Sequence, residues 1–223
     1  MTNVSANQSV KGYASIYEST SLATTVAGQH MVEWFTGNSL NTDRWNLHDV
    51  AGSHDTATGM VDSANGGFQI KNDNNSDHTQ IDFNDIRQYG TECVLIAIRK
   101  MASGSQYDTQ VGFIDGITAT EDDFIQTSLD YAQASSKQTL ITKNGGSVNT
   151  VVTSLSIDES WHLNKLELTQ TSGTLTVDGA LESTTTSELP NASMQPYFCG
   201  IVPAAGYSAN RQCAIRYMEC YNT

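Results

Sequence analysis

The feature that most restricts this chain is its period of two. From His30 onward apolar residues recur at alternate positions over short runs, and Gly, Asn and Asp stand between the runs. In "TLTVDG" (Thr174–Gly179) Leu175 and Val177 share one face and Thr174 and Thr176 the other, while Asp178-Gly179 supplies the pair of residues that tolerate positive φ in a tight hairpin. In "CVLIAIRK" (Cys93–Lys100) Val94, Ile96 and Ile98 face one way and Cys93, Leu95 and Ala97 the other. Both faces are apolar, so this strand belongs in the interior of a sheet. No stretch of ordinary helix length carries a 3.6-residue period, and no internal repeat is present.

Read this way, strands are expected over 31–36, 44–49, 66–71, 79–85, 91–101, 107–115, 123–131, 137–143, 148–156, 161–169, 173–178, 194–202 and 211–221. Turn signals at Asn65-Gly-Gly67, Gly104, Asn144-Gly-Gly146 and Asp178-Gly179 separate several of them. So many short strands in one stretch imply an all-β, two-sheet antiparallel sandwich over residues 30–223. Residues 1–29 are rich in Ser, Thr, Asn and Ala and cannot bury a core alone, so they read as an N-terminal arm. Two readings of the arm stay open: a disordered tail, or an assembly segment that docks on a neighbouring subunit through Tyr13, Ile16, Tyr17 and Leu22.

Charge narrows the partners. With 11 Lys+Arg against 24 Asp+Glu the formal net charge is -13, which opposes any polyanion, so nucleic acid is not expected as a partner. The longest strongly apolar run, Val94–Ile98, is far short of the roughly 20 residues that span a bilayer, so no membrane insertion is expected. The first residues lack the basic start and apolar core of a secretory signal. Cys93, Cys199, Cys213 and Cys220 show no CxxC spacing and read as buried free thiols of a chain made in a reducing cytoplasm.

Several segments together carry a resemblance. "VEWFTGNSLNTDRWNL" (Val32–Leu47), "GGFQI" (Gly66–Ile70), "VGFID" (Val111–Asp115), "WHLNKLELTQTSGTLTVDG" (Trp161–Gly179), Leu189-Pro190 and "CAIRYMECY" (Cys213–Tyr221) follow one another as in the concanavalin A-like lectin/glucanase (LamG-like) domains. The resemblance covers about residues 30–221 and implies a jelly roll. In it Trp161 is expected to cap the core, and Asp178 to hold a turn rather than a metal.

Glucanases of this superfamily place acids on one strand as Glu-x-Asp-x-x-Glu, because alternate residues share a face and can hold two carboxyl groups within about 5–5.5 Å. The corresponding stretch here, "TQVGFIDGITATEDDF", lacks that spacing. Asp115 with Glu121 or Asp122 is the weaker catalytic alternative to a solvated acidic loop, and His30, His48, His54, His78 and His162 are scattered. The expectation is therefore no catalytic residues, no enzyme and no cofactor. "DNNSDHTQIDFN" (Asp73–Asn84) opens like a calcium loop, but His78 stands where Gly is needed and Asn84 where a bidentate Glu belongs. The resemblance alone keeps calcium at a loop rim open.

Sugars are held by aromatic faces and planar polar groups. Among Trp34, Trp45, Tyr89, Tyr107, Tyr131, Tyr197 and Tyr207, the best candidates are Tyr107 and Tyr131, each beside a polar partner, Asp108 and Gln133. A sandwich without catalytic acids, with an arm and no export signal, resembles phage virion proteins of this fold. The expectation is a non-enzymatic virion structural protein, either capsid decoration (cement) or tail-associated. It would be made in the host cytoplasm, homo-oligomeric, bound to other virion proteins or copies of itself, with cell-surface polysaccharide as a further partner. A carbohydrate-binding lectin module and a divergent glycoside hydrolase are the alternatives.

Overall fold

The computed structural model describes residues 30–36, 38–60, 67–72, 74–84, 89–102, 107–118, 120–130, 137–202 and 211–223, with the backbone alone at 101, 102, 130 and 211. The expected arm, with Tyr13, Ile16, Tyr17 and Leu22, lies outside these residues, as do Tyr131 and Gln133. The described chain forms β1 (His30–Trp34), β2 (Trp45–Ala51), β3 (Gly59–Met60), β4 (Phe68–Asn72), β5 (His78–Phe83), β6 (Cys93–Ala102), β7 (Asp108–Ile114) and β8 (Phe124–Asp130). It continues through β9 (Lys137–Asn144), β10 (Ser147–Ser156), β11 (His162–Leu168), β12 (Gly173–Val177), β13 (Ala180–Thr185), β14 (Gln195–Ile201) and β15 (Arg211–Asn222).

All strand pairs are antiparallel. An 8-stranded sheet runs β13-β12-β11-β6-β15-β4-β3, with β1 also paired to β15, and a 7-stranded sheet runs β10-β9-β8-β7-β14-β5-β2. This is the expected sandwich. The sheets enclose one apolar layer that includes Phe68, Ile70, Leu95, Leu166 and Leu175 from the first sheet and Ile81, Val111, Phe113, Leu140 and Phe198 from the second. Burying such side chains stabilises the sandwich by about 1.5–3 kcal/mol each, the term that offsets the cost of ordering the strands. All four cysteines are free and buried in this structure, as their spacing implied.

Every strand anticipated from the sequence is present, and β6 does lie inside its sheet, between β11 and β15. Two strands had not been anticipated, and each has a physical reason. β3 is only a two-residue edge strand. In β13 the polarity is inverted, with Ser183 and Thr185 buried and Leu181 67% exposed, so no apolar alternation announces it. The Asp178-Gly179 turn between β12 and β13 has φ of 50° and 86°, the twin positive values that a two-residue hairpin turn needs. Trp161 does not cap the core. It is half-buried outside it, with the Arg216 guanidinium 4.0 Å and the Lys100 ammonium 5.1 Å from its ring centroid, a place cations favour over the indole face.

The same turn is clamped by His162. Its Nδ1 lies 2.7 Å from Asp178 Oδ2 and its Nε2 2.9 Å from Asp158 Oδ1, while Asp178 Oδ1 accepts the Leu163 N–H at 2.9 Å. Burial works against the charged imidazole, but the hydrogen bonds to both carboxylates outweigh it and raise His162 above 6.5. The His162 hydrogen bond lowers Asp158; at Asp178, burial is outweighed by hydrogen bonds from His162 and the Leu163 N–H, and that carboxyl is lowered too. The histidine's contribution is thus complete below its unfolded value of about 6.5 and lost as pH rises through the raised folded value. The acids contribute above about 3.9 and lose that contribution as pH falls through their lowered values. Amide exchange at Leu163 should therefore slow between pH 8 and pH 6 relative to His162→Gln, and equal exchange in the two proteins across that range would refute the clamp.

Candidate functional site

The register of the 7-stranded sheet places its outward side chains in rows. Tyr197 on β14 pairs with Gly112 on β7 and Asp82 on β5, and Gly112 pairs with Gln126 on β8, which pairs with Ile141 on β9. One row along, Cys199 pairs with Gln110 and Gln80, and Gln110 with Ser128. In the next, Ile201 pairs with Asp108 and His78, and Asp108 pairs with Asp130. Because these residues alternate with Thr109, Val111 and Phe113, which face the core, they form a separate face. Along that face Ile114, Phe124, Tyr197 and Cys199 make a second, smaller apolar cluster, with Ile141 and Ile201 packed against it.

The middle of the face is a network of hydrogen bonds. Asp108 is 8% exposed; its Oδ1 accepts from Ser128 Oγ at 2.5 Å and its Oδ2 from Gln110 Nε2 at 2.8 Å. The Tyr197 hydroxyl donates to Gln110 Oε1 at 3.3 Å and to Gln126 Oε1. On the β5 side, buried Asp82 receives Gln80 Nε2 at 3.0 Å and Asn46 Nδ2 at 3.1 Å and lies 2.9 Å from His48 Nε2. Thr118 from the β7–β8 connection folds over Gln80, donating its N–H and hydroxyl to Gln80 Oε1 at 3.0 and 2.8 Å, with its hydroxyl also 2.6 Å from His78 Nε2. Burial lowers His78 to about 4, so this imidazole is neutral at ordinary pH.

The acidic loop divides. Asp115 and Asp122 are exposed, and Asp115 Oδ1 accepts the Asp122 N–H at 3.1 Å, which shapes the loop rather than a reacting centre. Glu121 instead lies against the outer face: Lys143, from β9, donates to its carbonyl oxygen, and Lys143 Nζ is 3.8 Å from Glu121 Oε1. Glu121 Oε2 is buried without a hydrogen-bond partner among the described residues.

Of the expected sugar site, Asp108 is on this face but Tyr107 is not. Tyr107 is 0% exposed, inside the core, with its hydroxyl beside Cys213 Sγ at 3.6 Å; its ring offers no surface to a sugar. The residue at 107 precedes the strand's first outward position, so it falls on the inner side. Gln110, Gln126 and Ser128 were missed, although the alternation in "DTQVG" and "FIQTS" carries the signal: polar groups at every second position flanked by core residues. In the calcium-like stretch, Asp77 Oδ2 accepts the Asn74 N–H at 2.9 Å and so holds the turn. Asp73 lies outside the described residues. Among the described residues no group of three or more His, Cys, Asp or Glu side chains is placed to hold a metal ion.

On β7 the outward positions read Asp108, Gln110, Gly112 and Ile114, so this strand carries one carboxylate. Gly112 admits no second one: a Cβ there would lie 2.1 Å from the Ile125 carbonyl oxygen and 2.7 Å from Gln126 Cα. Any partner acid comes from another element.

No family model and no curated protein matches the sequence. Solved structures do match its fold. A Bacillus licheniformis beta-glucanase superposes with a TM-score of 0.66 at 15% identity, over 90% of this chain and 100% of that one. A beta-1,3-1,4-glucanase (lichenase) derived from a mouse hindgut metagenome gives 0.65 at 14% identity, over 87% and 99%. A Crh5 transglycosylase gives 0.64 at 15% identity, over 89% and 86%. The jelly roll of the glucanases is thus the fold of this chain, and none of these three structures is named as a virion component. The expectation of a non-enzymatic chain is overturned by these matches, because the sandwich is an enzyme fold. The missing same-strand acid motif had carried that expectation, yet the face draws carboxylates from β5, β7 and the β7–β8 connection.

Gly112→Ala should destabilise the protein by about 1–3 kcal/mol, the usual cost of overpacking, read as a lower urea midpoint. An unchanged midpoint would show that β7 and β8 can part there and that a side chain at 112 is admissible.

Proposed function

We propose that this chain is a carbohydrate-active enzyme of the glycoside hydrolase type that binds a neutral glycan chain across the outer face of the 7-stranded sheet. The observation that carries the reading is Asp108: a nearly buried carboxylate, oriented by two side-chain donors, at an outward position of an interior strand. The fold shared with the glucanases supports it.

Glycoside cleavage passes through a transition state with positive charge at the anomeric centre, which needs a fixed negative group on one side and a proton donor to the leaving oxygen. Asp108 supplies the first. With both oxygens engaged it is held in one orientation before substrate arrives, so little reorganisation is left for the reaction itself. Glu121, whose side chain lies against this face and is 13% exposed, is the proposed donor. Gln110 and Asn46 are amides suited to sugar hydroxyls, and the exposed Val148 and Val152 on β10 extend the face with an apolar ledge that a pyranose ring can cover.

The net charge of -13 selects for uncharged substrates, since a polyuronate or sulfated polysaccharide would be repelled. Neutral β-glucans are the first class to test. Reducing ends should be released from at least one neutral β-glucan, and Asp108→Asn should lower kcat on the order of 10³-fold while binding by calorimetry persists. Unchanged turnover in Asp108→Asn would move the chemistry elsewhere. Absence of release from the whole neutral panel, by a protein that is folded, would remove the hydrolase reading.

A further inference from the structure

Arg99 sits in the middle of β6, in register with His162 on one side and Ile215 on the other. Its side chain enters the space between the sheets and is 1% exposed. Nη1 donates to the Thr109 carbonyl at 2.9 Å and Nη2 to Thr127 Oγ1 at 3.0 Å, so the guanidinium grips the inner surface of β7 and β8. Thr109 follows Asp108 in the chain, and Thr127 precedes Ser128, whose hydroxyl holds Asp108 on the outer surface. The cation and the carboxylate therefore stand back to back across one layer of peptide groups.

Hydrogen bonding alone does not account for a charge in this place, because Arg99 Nε is buried with no partner among the described residues. Burial lowers Arg99 to about 10, and the groups that oppose this are Asp108 first, then Cys213, Tyr197 and Cys199. Burial pushes Cys213 up to about 12, and Cys199 and Tyr197 well above their ordinary values, so all three are neutral at pH 7. Among these four, only Asp108 brings a negative charge.

Groups from four strands surround Asp108. Gln110 flanks it on β7; Ser128 and the register position of Asp130 face it from β8; Cys199 and Ile201 from β14; and His78, beyond Ile201 on β5, is neutral. Lys137, next in that row on β9, gives its ammonium to the Ser154 carbonyl and Ser156 Oγ, both at 2.8 Å.

We infer that Arg99 is the internal counter-charge of Asp108, a positioning residue that acts through the Thr109 carbonyl and the Thr127–Ser128 segment to keep the outer-face carboxylate charged and aimed. Its part in turnover rests on the glycoside-cleaving reading above; the coupling of the two charges does not.

A double-mutant cycle on the full chain tests the coupling by urea unfolding at pH 7, using Asp108→Asn, Arg99→Met and the double variant. Asp108→Asn strands the buried cation and should lower the midpoint; in the Arg99→Met background the same change should cost little, giving a coupling on the order of 10-fold in the folding equilibrium. Arg99→Lys, which keeps the charge without the fork, should retain most of it. Additive effects would overturn the inference and leave Arg99 as a tie between strands. If Arg99→Met does not fold, Arg99→Gln takes its place in the cycle, and additive effects there would likewise overturn the inference. The cycle reads stability and the activity assay reads chemistry, so either conclusion can fail while the other stands.

Discussion

The structure depends on one constraint: a strand can give the layer between the sheets only every second residue. On β7 that leaves Val111 and Phe113 for the core and Asp108, Gln110 and Gly112 for the opposite face. The apolar half holds the two sheets together, and this frees the other half from any duty to the core. Burial at one surface of the sheet thus fixes, to within a rotamer, the spacing and direction of the polar groups at the other. A displacement of one residue in β7 would carry Asp108 into the core and Val111 into the site.

The two faces are not electrically independent. The inner layer includes a polar line formed by Arg99, Thr127, Gln138 and Asn164, in which Gln138 Nε2 reaches Thr127 Oγ1 at 2.7 Å and Asn164 Oδ1 at 2.5 Å. This line joins β6 and β11 of one sheet to β8 and β9 of the other, directly behind the outer network. A cation in so dry a place would be costly without the carboxylate on the far side. The core therefore does more than support the site, since it supplies part of the site's field.

Much of this was legible in the chain. The period of two, the turn pairs and the doubly apolar "CVLIAIRK" give the sandwich and the interior position of β6, because those signals are local. β13 was not legible, since its buried residues are Ser183 and Thr185, and Trp161 misled because an indole can be stabilised by two cations as well as by a core. The site was harder. A search for acids along one strand finds Asp108 alone, and whether a polar residue such as Gln126 or Tyr197 joins it depends on which strands become neighbours. Tyr107 illustrates the opposite error: it stands beside Asp108 in sequence and on the other side of the sheet in space.

By itself, the sequence determined the class of fold, all the strands but β3 and β13, and the negative charge that favours uncharged ligands, because each follows from residue type and short-range spacing. Tertiary structure decided the rest. Pairing β7 with β14 and β8 brought Tyr197, Gln126 and Ser128 around Asp108, packing β6 across the sandwich brought Arg99 up behind it, and the β7–β8 connection carried Glu121 onto the same face. Contacts between residues far apart in the chain depend on strand order and register, which short-range patterns do not encode.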